Sequence, residues 1–279
     1  MQFVSYLGES GPTYGLVVGD GVVDLGKRSP YASLRAAIAA GELMGVGASA
    51  QDKTPDVARA DITCLPTIPD PHHIFCAGKN YKDHVAEMGF DMPEHLSLFL
   101  KANSTLVGHG GEMICPKVSE CLDFEGELCA VIGKETRHVS EAEALDYVAG
   151  YTVMVDGSVR DFQKHSVTAG KNFHATGPLG PVMTTTDEIP DPSQLHITTH
   201  LNGDVVQDCG ADMLIFDIPY IISYLSKVTV LQPGDIVATG SPEGSGAGRT
   251  PPLWMKGGDK LDVEISKIGK LSVDIVDES

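Results

Sequence analysis

Leu122-Asp123-Phe124-Glu125-Gly126-Glu127-Leu128-Cys129-Ala130-Val131-Ile132-Gly133 is the stretch on which the fold turns. From Phe124 onward it reads as a strand. Side chains two apart leave a strand on the same face, so Glu125 and Glu127 point together while Phe124 and Leu128 point the other way. Spacing alone suits a solvated strand face at least as well as a paired site. The unbroken apolar run after Glu127, however, marks an interior strand, and two interior carboxylates need a counter-charge. A second strand, Tyr151-Thr152-Val153-Met154-Val155, ends at Asp156, followed by the polar run Gly157-Ser158-Val159-Arg160-Asp161-Phe162-Gln163. Three carboxylates with no His or Cys among them suit a hard divalent ion such as Mg²⁺ or Mn²⁺. The sequence leaves open whether Asp156 meets the glutamates in space.

Working outward, further strands follow. Leu195 to Leu201 alternates in polarity and meets Asn202-Gly203, a hairpin signal. Asp235 to Ala238, Leu261 to Ile265 and Leu271 to Val276 are short strands as well. Helices are few. One is expected over about Ser33 to Ala40. Another opens on the capping box Ser140-Glu141-Ala142-Glu143, runs through Tyr147 and Val148, and stops at Gly150. Val17 to Val23 reads as two strands around Asp20-Gly21. Pro55, Pro66, Pro69 and Pro71 mark a connector, which predicts a small N-terminal α+β domain, residues 1–65, and a larger domain, residues 66–279. The expected fold class is mixed α+β and strand-dominated, not a Rossmann-type alternation.

The chain has 279 residues, and 20 basic against 38 acidic groups give 20 − 38 = −18. Such acidity lacks the footprint of a nucleic-acid binder and is repelled by anionic membranes. Met-Gln-Phe-Val-Ser-Tyr at the start has no basic region, and no apolar run reaches membrane length, so a cytoplasmic setting is expected. The six cysteines include no CxxC pair and no flanking catalytic signature, which favours reduced packing residues. Gly244 to Gly248 lacks the Lys-Ser/Thr of a phosphate loop, and no Gly-x-Ser-x-Gly elbow is present.

In Asn80-Tyr81-Lys82-Asp83-His84-Val85-Ala86-Glu87-Met88-Gly89, Asn80 reads as an N-cap and Gly89 as a stop. His84 and Glu87, three apart, share a helical face and could form a general-base unit. In an acidic chain a surface His beside a surface Glu is the more economical reading. Lys171, in the turn-like Gly170-Lys171-Asn172-Phe173, reads as a solvated lysine.

Taken in order from Ile74 to Val276, these segments resemble the fumarylacetoacetate hydrolase family. Phe75 to Tyr81 with His84 and Glu87 is similar to its opening motif and lid helix. Ser97 to Lys101 is similar to a strand that brings a lysine to the pocket. Asp123 to Leu128 resembles its Asp-aromatic-Glu-x-Glu-Leu metal motif, and Asp156 to Gln163 the segment that supplies a third metal carboxylate and a substrate-facing Gln. Gly170 to Phe173 resembles its catalytic-lysine segment, and Leu231 to Asp235 with Ala238 to Pro242 its late loop. The chain departs from the family with Ser241 where Thr is common and Val155 where Asn is common. It also reads Asn172-Phe173-His174 in place of Ser-Phe-Asp, a change that bears on the substrate more than on the metal.

The resemblance implies a β-roll-like core, a homodimer, and a short 2-oxo acid as substrate. It implies Mg²⁺ or Mn²⁺ on Glu125, Glu127 and Asp156, with His84, Glu87 and Lys171 catalytic and Lys101, Arg160, Gln163 and Ser241 facing substrate. The expected activity is hydrolysis of the C–C bond of a 2,4-dioxo acid, an acylpyruvate, releasing pyruvate. The alternatives are oxaloacetate-type decarboxylation or 2-oxo-acid isomerisation or hydration at the same site.

Overall fold

The strand Gly126–Ile132 is buried along its whole length in the computed structural model, which describes residues 1–87, 89 and 91–279. Leu128, Ala130 and Ile132 join one apolar cluster, and Cys129 and Val131 join a second on the opposite face. With both faces covered, the strand needs a continuous apolar run, and that run is what the sequence carries. It pairs antiparallel with Val148–Val155 on one side and Ile236–Ala238 on the other.

A 12-stranded mixed sheet grows from this centre. One arm continues through Gly177–Thr185 to Gln2–Gly8, Gly11–Val18, Gly21–Asp24 and Val57–Ala58. The other passes through Ile74–Gly78 to the edge strand Ser97–Lys101. The first strands of the chain are thus hydrogen-bonded into the sheet that carries the glutamates, with Phe3 opposite Met183. The Leu34–Ala39 helix, capped by Ser33 through the Ala36 N–H, covers this arm with Leu34, Ala37 and Ile38.

A five-stranded sheet runs Asp204–Gly210, His196–Leu201, Lys260–Ile265, Gly269–Asp277, Glu112–Cys115. It packs close over the central strand. A Cβ on Gly126 would lie 2.4 Å from Thr199 Oγ1 and 2.9 Å from Val263 Cγ1, so no larger residue fits there without a shift. Two short strands, Leu122–Asp123 and Ser158–Val159, pair beneath the glutamate turn. The strand-dominated mixed α+β class expected from the sequence is the one observed. No helix among the described residues is long and apolar enough to cross a membrane.

Three local expectations change. Strand pairing places Val18 opposite Gly21, so the turn is Gly19-Asp20 and not Asp20-Gly21. The capping box Ser140/Glu143 forms, but it opens a 3₁₀ segment, Glu141–Tyr147, which ends where Val148 enters the sheet. Gly150 is a strand residue and stops nothing. Asn80 is not an N-cap. It is fully buried, its Nδ2 donates to the Phe216 and Thr239 carbonyls, and its Oδ1 accepts from the Phe216 N–H. Asn80→Ala strands those three groups, and a buried polar group left unpaired costs about 1–3 kcal/mol. Denaturant titration should therefore show a loss of about 2–4 kcal/mol once partial rescue by water is allowed. A shift inside about 0.5 kcal/mol, the scatter of neutral surface changes, would show that the bonds carry no stability.

Candidate active site

Glu125 follows the short strand Leu122–Asp123, and Glu127 is the second residue of the central strand. Asp156 directly follows Val148–Val155, and its N–H donates to the Glu125 carbonyl at 2.8 Å. Strand pairing therefore settles what the sequence left open: the third carboxylate stands beside the two glutamates, and all three are buried.

Two lysines and an arginine enter the same space. The Lys171 ammonium donates to Glu125 Oε2 and, at 2.5 Å, to Asp156 Oδ2. Lys101 Nζ donates to Asp156 Oδ1 at 2.8 Å and to the Gly157 and Lys171 carbonyls. Arg160 Nη2 reaches Glu125 Oε1 at 2.7 Å, its Nε reaches Asp123 Oδ2 at 2.7 Å, and its Nη1 reaches Gln163 Oε1 at 2.8 Å. Among the described residues, Glu127 has only the Gly240 N–H, at 3.0 Å.

The charges follow from this wiring. Burial alone would push the Glu125 carboxyl up, but Arg160 and then Lys171 outweigh it and hold it well below the usual carboxylate range. Burial, Asp156 and Glu125 push Glu127 well above that range. Burial would also discharge Lys171, yet Asp156 and Glu125 overcome it, and the group stays an ammonium. Lys171 is thus a buried counter-cation, not the solvated lysine that the local sequence suggested.

The donor set has the chemistry for a hard divalent ion: three buried carboxylates, one of them without a cation partner among the described residues. Among the described residues, no three acidic, His or Cys groups stand ready-made around one point. The Lys171 ammonium separates two of them. The carboxylates fit the ion if that ammonium withdraws.

Of the three carboxylates, Glu125 faces a cavity of about 640 Å³, walled also by His84, Phe99, Arg160, Gln163, Lys171 and Trp254 among others. The volume lies in the range of about 300–1,000 Å³ typical of small-molecule sites. Of the residues singled out from the sequence, His84, Glu125, Arg160, Gln163 and Lys171 line it, whereas Glu87, Glu127 and Asp156 do not. Lys101 and Ser241 do not line it. Lys101 is wholly enclosed as the partner of Asp156, and Ser241 Oγ accepts from Gln207 Nε2 at 2.8 Å. Gln207 gave no sequence signal, because it lies on a strand of the smaller sheet. Cys121 lines the cavity, but burial pushes its thiol up, which argues against a thiolate nucleophile.

His84 and Glu87 are neighbours on the Lys82–Glu87 helix, but no hydrogen bond joins them. His84 Nδ1 lies 3.5 Å from Glu87 Oε2 and has no hydrogen-bond partner among the described residues. Both Glu87 oxygens instead accept from the Gly244 N–H at 3.1 Å.

The family model described as Fumarylacetoacetate (FAA) hydrolase C-terminal matches residues 73–276. The chain is 44% identical over 211 residues to oxaloacetate tautomerase YisK of Bacillus subtilis (strain 168), covering 74% of this chain and 70% of that protein. It is 36% identical over 275 residues to the mitochondrial oxaloacetate tautomerase fahd2 of Xenopus laevis, covering 95% and 86%. Among solved structures it is similar to maleylpyruvate hydrolase from Sphingobium sp. SYK-6, in complex with manganese(II) and pyruvate. The TM-score is 0.85 and the identity 29%, with 100% of both chains covered.

Proposed function

The chain belongs to the fumarylacetoacetate hydrolase family, and from that premise we propose that it interconverts the keto and enol forms of a short 2-oxo dicarboxylic acid such as oxaloacetate. The observation that carries this reading is the state of His84: an imidazole on the cavity wall whose Nδ1 is unpartnered, while Glu87 is bonded to a loop amide. Hydrolysis requires a base strong enough to strip a water, and a carboxylate bonded to the imidazole would supply that strength. Tautomerisation requires less. A proton leaves C3, the C2–C3 bond gains double-bond character, and a proton returns at the 2-oxygen.

His84 is placed to take and return that proton. Lys171 keeps its charge and so offers a hydrogen bond to the negative 2-oxygen without giving up its own proton. Arg160, fixed on three sides by Asp123, Glu125 and Gln163, presents a rigid guanidinium to a substrate carboxylate. A divalent ion held by Glu125, Glu127 and Asp156 would supply a Lewis acid for the 2-oxo oxygen. The similarity to the manganese-bound hydrolase supports such an ion here.

Acylpyruvate hydrolysis is the second reading, favoured by the 3.5 Å approach of Glu87 to His84, which a small rotation would turn into a bond. One comparison separates the two: the decay of enol oxaloacetate followed by its ultraviolet absorbance, against pyruvate release from an acylpyruvate. We expect kcat/KM for enol conversion to exceed that for hydrolysis by at least about tenfold, a difference of 1.4 kcal/mol in barrier. A preference for the acylpyruvate would overturn the tautomerase reading.

A further inference from the structure

The side chain of Asp123 is wholly enclosed, and it is bonded more fully than either metal-motif glutamate. Its Oδ1 accepts from the Phe124 N–H at 2.8 Å and the Gly246 N–H at 2.7 Å. Its Oδ2 accepts from Arg160 Nε at 2.7 Å and the Ala247 N–H at 3.1 Å. One carboxylate therefore joins the substrate-facing arginine to the glycine loop.

The loop is gripped elsewhere too. Arg249 Nε donates to the Gly244 carbonyl, and its Nη2 donates to the Val206 carbonyl. A Cβ on Gly246 would lie 1.8 Å from the Leu253 carbonyl oxygen, so the backbone lies flat against its neighbour there. At its far side the loop meets the His84 helix. Gly244 N–H bonds Glu87, and a Cβ on Gly248 would lie 2.5 Å from Glu87 Cδ. Asp123 itself makes no hydrogen bond to that helix.

We propose that Asp123 is a positioning residue that fixes Arg160 and the Gly244–Gly248 loop as one body, and that this body sets the place of the His84 helix through Glu87. The link runs Arg160, Asp123, Gly246–Ala247, Gly244, Glu87, each step a hydrogen bond or a run of stiffly held backbone. It explains why the loop is rich in glycine although it lacks the Lys-Ser/Thr of a phosphate loop. Two of those glycines lie where a side chain would strike the Leu253 carbonyl or Glu87. The effect on substrate rests on the tautomerase reading; the mechanical link does not.

Hydrogen exchange on the full chain tests the link without any substrate. Asp123→Asn keeps the shape but removes the charge and one acceptor. It should speed exchange at least tenfold at the loop amides 244–248 and also within Lys82–Glu87. Faster exchange in the loop with the helix unchanged would overturn the proposal. Should Asp123→Asn fail to fold, Gly248→Ala probes the same link from the other end. It crowds Glu87 and should speed exchange at the amides of Gly246 and Ala247, and wild-type rates there would overturn the proposal equally. Kinetics supply a readout that a merely structural role would not move. Asp123→Asn should raise KM for oxaloacetate about tenfold through Arg160, with kcat lowered less. If the wild type does not turn over oxaloacetate, the tautomerase reading fails while the exchange result still decides the link.

Discussion

Dialysis against a chelator should abolish turnover, Mg²⁺ or Mn²⁺ should restore it, and the returning ion should expel a proton. The expectation comes from Glu127. Burial and its neighbours Asp156 and Glu125 hold it well above the usual carboxylate range, which favours the protonated form in the ion-free site. A metal ligand must be the carboxylate, so ion and proton compete, and affinity should climb as pH rises toward the range where Glu127 ionises. The stability signs follow. A carboxyl with a raised folded-state pKa stabilises the ion-free fold fully below the ordinary carboxylate range, and this contribution is lost as pH rises through the folded value. Glu125 works the other way: its lowered value gives stability above the ordinary range, lost as pH falls through the folded value. Thermal melts with and without Mn²⁺ should therefore diverge with increasing pH. Calorimetry in buffers of different ionisation heat would count the proton. Glu127→Gln cannot release it and should weaken ion binding on the order of a hundredfold, the size already seen for losing an outer partner of a metal ligand. Full turnover in excess chelator would sink the metal requirement.

What the sequence disclosed was local in its physics. The interior strand was legible because alternation and an unbroken apolar run are both properties of neighbouring residues, and Phe124 and Leu128 do pack into one cluster. The helix beginning near Ser33, the Ser140 box and the Asn202-Gly203 turn were legible for the same reason. The site was legible as residue types but not as connections. Lys171 read as a solvated turn residue because its partners, Glu125 and Asp156, lie 46 and 15 positions away, and only the tertiary fold brings the three together. Asn80 had the look of a cap, but its partners at Phe216 and Thr239 lie 136 and 159 positions off. Glu87 is the most instructive case. Spacing identified which side chains share a helical face and gave no sign of the Gly244 amide that competes for the carboxylate. Asp123 was visible beside the glutamates as part of a motif, yet its four partners come from three separated segments.

Replacing His84 by alanine should cut enol conversion by about two to four powers of ten, the range of a lost general base. Replacing Glu87 by glutamine should cut it by about tenfold or less, because no hydrogen bond joins the pair and the amide oxygen can still accept from Gly244. The inequality is the point of the experiment. If His84 works as an unassisted proton carrier, its surroundings need only hold it in place, and glutamine does that. If it must generate hydroxide, the negative charge at position 87 matters, because it stabilises the imidazolium formed as water is stripped. Hydrolysis of an acylpyruvate should then fall with either substitution. The pair of variants assayed on enol oxaloacetate and on an acylpyruvate gives four rate ratios. A large loss for Glu87→Gln on oxaloacetate, matching that of His84→Ala, would mean that the 3.5 Å gap closes during turnover and that the two residues act as one base. A wild-type rate for His84→Ala would place the base elsewhere on the cavity wall.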